Sequence, residues 1–367
     1  MNRRPRPHGE GGDIGEVLEQ LASPVDNMIL AVGGHTLSLT HLGKRLWPTA
    51  GRGGLTKRDV LRYYARISPH LLDHVRGRPV FVTRYPEGIE GQSFYQKVWE
   101  RRPEFVKTVR IWSSDRGESR DYLTVDNLPT LLWLAQQSAL ELHVWFSRIG
   151  APPDGKRLGV NYGESEATLE RSRLNYPDFL VFDLDSYVYS GKEAKGAEPE
   201  LHRKGFNRVR ELAHEVRTIA ESVGLRVFVK TSGRTGLHLY APIIRRFTFD
   251  EARAMAETIG WFLSARRPKD VTLEWAVEKR AGKVFFDYNQ NVRGKSLAAA
   301  YSPRRHPQAT VSMPLTWDEL DDVYPTDFTI LTAPEVTARR GDPWTDILEA
   351  KTDLDALLEA SASARAG

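Results

Sequence analysis

The stretch that most constrains the fold is residues 178–186, Asp-Phe-Leu-Val-Phe-Asp-Leu-Asp-Ser. A short run of apolar β-forming residues ends in two carboxylates, Asp183 and Asp185, with one residue between them. Because alternate side chains of a strand share a face, these carboxylates lie roughly 6–7 Å apart if the run is a strand. Such a pair repels unless a divalent cation lies between the two acids, although the same pattern is also typical of turns and solvated loops.

A third acid, Asp287, ends another strand-like run, residues 283–287. Residues 228–240 lie between the two runs and read as a strand, a glycine-punctuated turn and a second strand, carrying Ser232 and His238. Three acids beside such a turn are typical of a two-metal site for phosphoryl or nucleotidyl transfer. A purely structural acidic cluster would instead need cationic partners.

Composition limits the class of protein. The 367 residues allow one large domain or two smaller ones, and an apolar content of 40% is sufficient for a core. The absence of cysteine excludes a thiolate zinc site, a disulfide framework and a cysteine nucleophile, and it is compatible with a cytoplasmic, nucleoid-associated protein. The 52 Lys and Arg residues barely exceed the 48 Asp and Glu residues, which permits a nucleic-acid partner without requiring one. No apolar run approaches the ~20 residues of a membrane span, so we expect no membrane association.

Hydrophobic periodicity and capping residues predict the order of elements. We predict helices at 13–22, 56–68, 69–76, 130–139, 206–222, 249–266 and 344–360. We predict strands at 37–42, 79–84, 106–112, 122–125 and 272–278, besides the two strand-like runs that end in acids. Residues 24–34 are interpreted as a connector, and 186–203 as a charged insertion that borders the active-site cleft. The elements alternate without the even rhythm of a doubly wound sheet, so the predicted fold class is α+β.

Three spaced motifs, residues 182–185, 231–238 and 284–290, resemble the catalytic motifs of the archaeo-eukaryotic primase superfamily. The resemblance is closest to the polymerase domain of bacterial ATP-dependent DNA ligase D and its stand-alone relatives. Further shared segments occur in the same order, namely 41–48, 55–59, 77–79, 94–97, 140–145, 280–283 and 301–304. The likeness covers roughly residues 37–322. No ligase or nuclease segment is evident, so we expect a stand-alone polymerase whose ligase is a separate protein.

The resemblance implies a primase-type catalytic core, in which an RRM-like antiparallel sheet carries the acidic triad and joins a second αβ module. We therefore expect residues 1–34 to be a disordered leader with an N-terminal helix and connector. Residues 35–330 would be the catalytic domain of two intimately packed αβ modules, and residues 331–367 a C-terminal helix and tail.

The resemblance also implies roles for individual residues. Asp183, Asp185 and Asp287 would be the catalytic acids and would hold two Mn²⁺ or Mg²⁺ ions. The residues expected to bind the nucleoside triphosphate are Ser232, Arg234, Thr235, His238, His143, Arg280, Gln290, Lys295 and Arg304. The family commonly has lysine where this chain has Thr235, beside Arg234, which leaves open which side chain supplies the positive charge. Arg280, Lys295 and Arg304 could instead be solvated surface charges, and His143 a core or capping residue.

Five further residues are expected to contact DNA. Lys44 and Lys57 match the two lysines that hold the 5′-phosphate of a gap or overhang in this family. Phe94 and Tyr95 lie in a glycine-rich loop where exposed aromatic rings favour base stacking, although one of the two could instead anchor that loop. Arg84 is expected to touch the template, whereas Trp47 is expected in the core.

The resulting hypothesis is a monomeric, template-directed primase-polymerase that adds ribonucleotides or deoxyribonucleotides to a 3′ end. It would fill short 5′-phosphorylated gaps in bacterial DNA repair, in Ku-dependent non-homologous end joining or in base excision repair beside an ATP-dependent DNA ligase. Two alternatives stay open. One is de novo primer synthesis, and the other is a non-catalytic protein that binds DNA ends.

Overall fold

A computed structural model describes residues 14–51, 53–154, 158–192 and 200–355. The predicted leader and residues 193–199 of the predicted insertion lie outside this range. The helices are α1 (Ile14–Gln20), α2 (Lys57–Val75), α3 (Leu128–Gln136), α4 (Glu166–Glu170), α5 (Arg203–Ser222), α6 (Phe249–Arg266) and α7 (Ala333–Arg340). The strands from the first half of the chain are β1 (Met28–Val32), β2 (His35–Leu39), β3 (Arg45–Trp47), β4 (Leu55–Thr56), β5 (Pro79–Arg84), β6 (Phe94–Gln96), β7 (Thr108–Ser113), β8 (Glu118–Thr124) and β9 (Ala139–Trp145). The later strands are β10 (Phe179–Asp185), β11 (Phe228–Thr231), β12 (Leu237–Pro242), β13 (Val271–Thr272), β14 (Val284–Asp287), β15 (Ser296–Ala298) and β16 (Pro314–Leu315).

The first large sheet has the strand order β13-β14-β10-β12-β11-β16 and is antiparallel except where β13 pairs with β14. Apolar side chains cover one of its faces, where the rings of Phe182 and Phe286 lie 5.7 Å apart. Gly260 of α6 lies directly against the Phe286 ring, so α6 packs on this face. Because side chains alternate along a strand, Asp183 and Asp185 project from the opposite face.

The second large sheet has the order β15-β9-β5-β8-β7, with β6 added to β5. Helices α2 and α3 pack against each other, and the hydroxyl of Tyr64 in α2 donates to the Leu140 carbonyl of β9 at 2.7 Å. The chain runs from β14 through a 3₁₀ helix, Tyr288–Asn291, into β15 of the second sheet. The third predicted acid therefore lies where the two sheets are connected.

Residues 24–34 were predicted as a connector, and that prediction is wrong because they contain β1, which pairs with β2. Gly33 and Gly34 join the two strands with φ of 56° and 76°. Two consecutive left-handed residues form the tight hairpin turn that glycine accepts most readily. A Gly-Gly pair between two apolar runs is the signal that would have predicted this hairpin.

The two helices predicted at 56–68 and 69–76 form one continuous helix, α2, with Pro69 inside it. Thr56 caps the helix and Asp59 completes the predicted capping box. Pro69 has no N–H to donate to the Ala65 carbonyl, but the Ser68 hydroxyl donates to that carbonyl at 3.0 Å. The hydroxyl thus replaces the missing backbone bond, which explains why the helix passes through the proline.

The apolar helix predicted at 130–139 ends earlier, at Gln136, and the residues after it form β9. Ser138 adopts a left-handed φ of 57° between the two elements, which stops the helix. The strand then pairs with both β5 and β15, so inter-strand hydrogen bonds replace helical ones. An apolar run flanked by two partners favours a central strand over a longer helix.

Two predictions near the C-terminus are also wrong. Residues 344–354 are not helical, whereas 356–360 lie outside the described residues. Trp344 packs on Tyr240 with ring centroids 5.0 Å apart, and Ile347 and Leu354 are buried, so tertiary contacts fix this segment. The strand predicted at 272–278 is limited to β13 and is followed by a 3₁₀ turn at Val277–Lys279.

The chain thus has a mixed α/β fold with two large, mainly antiparallel sheets, as the predicted α+β class requires. One large apolar cluster extends over both sheets and includes the predicted core residue Trp47, while Phe81, Ile111, Tyr122 and Trp145 of the second sheet belong to a smaller, separate cluster. Within the part of the chain that the structure describes, no helix combines the length and the apolar character that crossing a membrane requires.

Candidate active site

Four polar side chains form one row across four neighbouring strands of the first sheet. Asp183 of β10 lies directly opposite Asp287 of β14 on one side and His238 of β12 on the other. His238 in turn lies opposite Lys230 of β11. Directly opposed residues of paired strands project to the same face, and Asp185 shares that face because it lies two residues beyond Asp183. The fold therefore brings the three predicted catalytic acids together.

The acids are held in an environment that disfavours three negative charges. Burial raises the pKa of Asp183 well above its usual range, and the carboxylates of Asp185 and Asp287 raise it further. Burial also raises the pKa of Asp185 and of Asp287. Excess negative charge in a desolvated site is the condition under which a divalent cation gains most from binding.

Two of the three acids also have neutral hydrogen-bond donors. The Thr235 hydroxyl donates to Asp185 Oδ1 at 2.8 Å, and Gln290 Nε2 donates to Asp287 Oδ2 at 3.0 Å. Among the described residues, no group of three or more His, Asp or Glu side chains stands ready to hold a metal ion. The donor set nevertheless fits Mg²⁺ or Mn²⁺, since these ions prefer carboxylate oxygens and each carboxylate keeps lone pairs beyond its present hydrogen bonds.

A cavity of about 260 Å³ opens beside Asp183 and Asp185. Its lining includes eight of the predicted site residues, which are His143, Asp183, Asp185, Ser232, Arg234, Thr235, His238 and Arg304. The turn at 232–236 forms one wall, where the Ser232 hydroxyl accepts hydrogen bonds from the backbone N–H groups of Arg234 and Gly236, both at 3.1 Å. A Cβ atom at Gly236 would lie 2.1 Å from the Leu184 carbonyl oxygen, so only glycine allows this turn to approach the acids.

Glu141 is a functional candidate that the sequence analysis did not single out. It is buried, and it accepts hydrogen bonds from Arg304 Nε at 3.1 Å, Arg234 at 3.3 Å and the Arg305 backbone N–H at 2.8 Å. Burial alone would raise the pKa of Glu141, but Arg304, His143 and Arg234 hold it well below its usual range. Glu141 therefore fixes two arginines at the cavity wall. Its position two residues before His143, on the same strand face, was the available signal.

A second cavity, of about 550 Å³, adjoins the first, and Ser296 lines both. It contains three more predicted site residues, Tyr95, Gln290 and Lys295. Its aromatic lining also includes Phe81, Trp112, Tyr122 and Trp145. The combination of aromatic faces with lysine side chains is suited to unpaired nucleobases and their phosphates.

Arg280 lines neither of these cavities. Its guanidinium lies 3.5 Å from the centroid of the Phe285 ring and donates to the backbone carbonyls of Glu274 and Trp275. Burial lowers the pKa of Arg280, whereas the negative charges of Asp287 and Asp185 raise it. The predicted contact with the triphosphate would require Arg280 to extend toward the cavity.

Of the two predicted 5′-phosphate ligands, Lys57 is the first residue of α2 and Lys44 immediately precedes β3. The Lys57 backbone N–H donates to the Lys44 carbonyl, and burial together with Lys44 lowers the pKa of Lys57. The Lys57 ammonium donates to the Thr40 carbonyl at 3.0 Å, while the Lys44 ammonium pairs with Glu87 at 2.9 Å. The two cations are neighbours, but Lys44 already has an acidic partner.

The other three residues predicted to contact DNA differ in how exposed they are. Phe94 and Tyr95 are exposed, on the edge strand β6 rather than in the predicted loop. Arg84 is half-buried and donates to the Gln137 carbonyl at 2.9 Å, with its guanidinium 4.8 Å from the Trp99 ring centroid. The structure thus leaves the two aromatic rings accessible, whereas Arg84 is committed to contacts within the protein.

The first residues of the predicted insertion lie against the site. The Ser186 hydroxyl donates to the Thr235 carbonyl at 3.0 Å, and a Cβ on Gly191 would lie 3.5 Å from Ala281, the residue after Arg280. These residues connect the end of β10 with the turn and with the loop that carries Arg280.

Comparison with known proteins identifies relatives of the chain. The family model described as "LigD, primase-polymerase domain" matches residues 56–344. The multifunctional non-homologous end joining DNA repair protein LigD of Mycobacterium tuberculosis is 33% identical over 287 residues, 78% of this chain and 34% of the relative. The bifunctional LigD of Bacillus subtilis is 30% identical over 294 residues, 79% of this chain and 41% of the relative. The chain thus spans about a third to two fifths of these relatives.

The fold has a solved counterpart. The structure of the polymerase domain from Mycobacterium tuberculosis ligase D in complex with DNA superposes with a TM-score of 0.69 and 30% sequence identity. The superposition covers 86% of this chain and 99% of that domain. The mixed α/β architecture therefore matches that of a whole known domain.

Proposed function

The chain belongs to the LigD primase-polymerase domain family, and on that premise we propose that it is a template-directed nucleotidyltransferase that extends a DNA 3′ end. The observation that carries the proposal is the juxtaposition of Asp183, Asp185 and Asp287 on one sheet face. Asp183 and Asp185 line a cavity that Arg234 and Arg304 also line, and Asp287 lies directly opposite Asp183 on the neighbouring strand. Carboxylates beside guanidinium groups suit a reaction in which bound metal ions act on a polyphosphate substrate.

The proposed substrate is a nucleoside triphosphate, either ribo or deoxy. Arg234 and Arg304 would bind its phosphate oxygens, because guanidinium groups pair well with phosphate and Glu141 holds both in place. The tight turn beginning at Ser232 would bring backbone N–H groups close to the phosphates. Since Thr235 is hydrogen-bonded to Asp185, we assign the positive charge of this wall to the arginines.

Two divalent cations held by the three acids, Mn²⁺ or Mg²⁺, would lower the pKa of the attacking 3′-hydroxyl and neutralise the leaving pyrophosphate. The protein residues hold the reactants. Thr235 and Gln290 orient the Asp185 and Asp287 carboxylates by donating to one oxygen of each. The resulting fixed positions reduce the rearrangement needed during the reaction.

The proposed DNA contacts follow from the second cavity and from the start of α2. Unpaired bases would stack on the aromatic lining of the second cavity, which includes Tyr95. This cavity adjoins the one that Asp183 and Asp185 line, since Ser296 belongs to both. A 5′-phosphate would bind between Lys44 and Lys57, which requires Lys44 to exchange Glu87 for the phosphate. Together these contacts favour a gapped or broken duplex as the substrate.

We place this activity in bacterial DNA repair, as the filling of short gaps. The relatives are named as non-homologous end joining proteins, which supports a role at broken ends. A Ku-like end-binding protein and an ATP-dependent DNA ligase would be the partners in that pathway. A role in base excision repair would need only the gap and the ligase.

The test is primer extension on a gapped duplex with a 5′-phosphate, with Mn²⁺ or Mg²⁺ and each class of nucleotide. The wild-type protein is expected to extend the primer, Asp183→Asn to abolish extension, and the exposed-acid control Asp322→Asn to retain it. Binding without extension would contradict the proposal and favour an end-binding protein. Products on a bare single strand without primer would favour de novo priming.

A further inference from the structure

Lys230 is a completely buried lysine to which neither the resemblance nor the proposed mechanism gives a role. It lies on β11 opposite His238, at the end of the row that contains Asp183 and Asp287. An ammonium group in the interior is costly unless its hydrogens are bonded to defined acceptors.

The donors and acceptors around Lys230 can be counted. Its ammonium nitrogen lies 2.5 Å from the Ser312 hydroxyl and 2.6 Å from His238 Nδ1. The Ser312 hydroxyl gives its single hydrogen to the Thr231 carbonyl at 2.7 Å, so it accepts from Lys230. Ser312 therefore accepts a hydrogen bond from Lys230 and has no hydrogen left to donate to it.

We propose that Lys230 is a positioning residue that donates to His238 Nδ1 and thereby holds His238 as the tautomer with its proton on Nε2. An ammonium group has three hydrogens and no lone pair, so the ring nitrogen that lies 2.6 Å from it accepts. With Nδ1 occupied as an acceptor, the ring hydrogen lies on Nε2, which faces Asp183 Oδ1 at 3.5 Å and lines the cavity.

The tautomer decides what His238 offers to this cavity. An Nε2–H group presents a hydrogen-bond donor to the Asp183 carboxylate and to a phosphate oxygen of a bound nucleotide. The other tautomer would direct a lone pair at the same anions, which is repulsive. For metal-ligating histidines, loss of the outer partner that fixes the tautomer typically costs about 10–100-fold in metal affinity or activity, and we expect an effect of that order here. The link to catalysis rests on the proposed function, whereas the tautomer does not.

The first experiment reads the tautomer directly in the wild-type protein without DNA or nucleotide. The protein is labelled with ¹⁵N-histidine, and the ring nitrogens are observed in a long-range ¹H–¹⁵N correlation spectrum. His238→Gln identifies the resonances of His238 among those of the ten histidines. We expect a protonated Nε2 and an unprotonated Nδ1. A protonated Nδ1, alone or together with Nε2, would overturn the inference even if the protein extends primers.

The second experiment compares Lys230→Met with Lys279→Met, a matched change at an exposed lysine. Lys230→Met is expected to alter the His238 ring-nitrogen shifts and to raise KM for the nucleotide or lower kcat by about 10-fold or more, whereas Lys279→Met changes neither. Ser312→Ala leaves the lysine in place but removes its orienting acceptor, and it should give a smaller effect in the same direction. Unchanged His238 shifts in folded Lys230→Met would contradict the inference. Absence of polymerase activity in the wild type would refute the proposed function and leave the NMR result standing.

Discussion

Asp183 and Asp287 lie directly opposite each other on neighbouring antiparallel strands, although the segments that carry them are distant in the sequence. The side chains of such a pair project from one face, and each acid raises the electrostatic cost of ionising the other. A buried pair of this kind destabilises the protein unless a cation binds there. The proposed chemistry and the local instability are thus two consequences of one strand register.

Removal of one acid should separate these two consequences. We expect Asp287→Asn to abolish measurable primer extension and to stabilise the metal-free protein by about 1 kcal/mol, because a buried charge is lost. Excess Mn²⁺ should raise the Tm of the wild type, by the equivalent of about 2.7 kcal/mol at a concentration 100 times its Kd. The same Mn²⁺ concentration should raise the Tm of Asp287→Asn by less. An equal rise in Tm in both proteins would show that the ion binds elsewhere.

The pairing of Lys44 with Glu87 should limit the affinity for a 5′-phosphate. We expect Glu87→Gln to bind a 5′-phosphorylated gap about 2–5-fold more tightly, because the pair is partly exposed and such pairs are worth less than about 1 kcal/mol. Lys44→Met should bind the same DNA more weakly. Fluorescence anisotropy measures both effects, with the 5′-hydroxyl form of the DNA as the control. A similar change on both forms would exclude a specific phosphate contact.

The buried carboxylate of Asp178 predicts an acid-dependent loss of stability. Burial alone would raise its pKa, but Arg78, Arg245 and Arg148 hold it below the usual range, with Arg78 at 2.7 Å. A lowered folded-state pKa stabilises the protein above the unfolded value of about 3.9, and this contribution disappears as the pH falls from there through the folded-state pKa.

Urea unfolding between pH 7 and pH 3 checks this contribution. Asp178→Asn should cost about 3–5 kcal/mol at pH 7, since it leaves buried guanidinium groups without their counter-charge. The difference from wild type should shrink toward pH 3. A difference that is independent of pH would show that packing, rather than ionisation, carries the effect.

The hydroxyl of Ser68 should matter only because Pro69 follows it. Ser68→Ala is expected to destabilise the protein by about 1 kcal/mol or more, because the buried Ala65 carbonyl loses its remaining donor. In a Pro69→Ala background the backbone N–H can bond that carbonyl, so Ser68→Ala should cost less. A double-mutant cycle from denaturant unfolding measures this coupling, and additive effects would contradict it.

Much of the fold could be predicted from local patterns. Helix α6 has the predicted bounds, Phe249–Arg266, because its capping residues and periodicity agree. Strand β5 likewise has its predicted bounds. Predictions failed where distant contacts decide the outcome. The apolar residues of β9 are compatible with a helix until β5 and β15 supply hydrogen-bond partners, and Trp344 is held by the sheet rather than by a helix of its own.

The residues of the candidate site were likewise predicted where a local sequence pattern marks them and missed where distant contacts decide their role. Motif spacing identified the acids and the turn at 232–236, and Asp183, Asp185 and this turn do line one cavity. It missed Glu141 and Lys230, since a single buried charge has no recognisable pattern until its partners are known. It also could not foresee that Arg84 and Lys44 have partners within the protein, because those contacts come from segments remote in sequence.

The sequence by itself determined which elements are strands or helices wherever periodicity, capping and glycine positions agree, because these act over a few residues. It also contained the acidic pattern that indicates metal-assisted nucleotidyl transfer. Only the tertiary structure decided that Lys230, His238, Asp183 and Asp287 form one row. Strand register depends on hydrogen bonds and packing across the whole sheet, and a shift of one residue would direct these side chains to the opposite face.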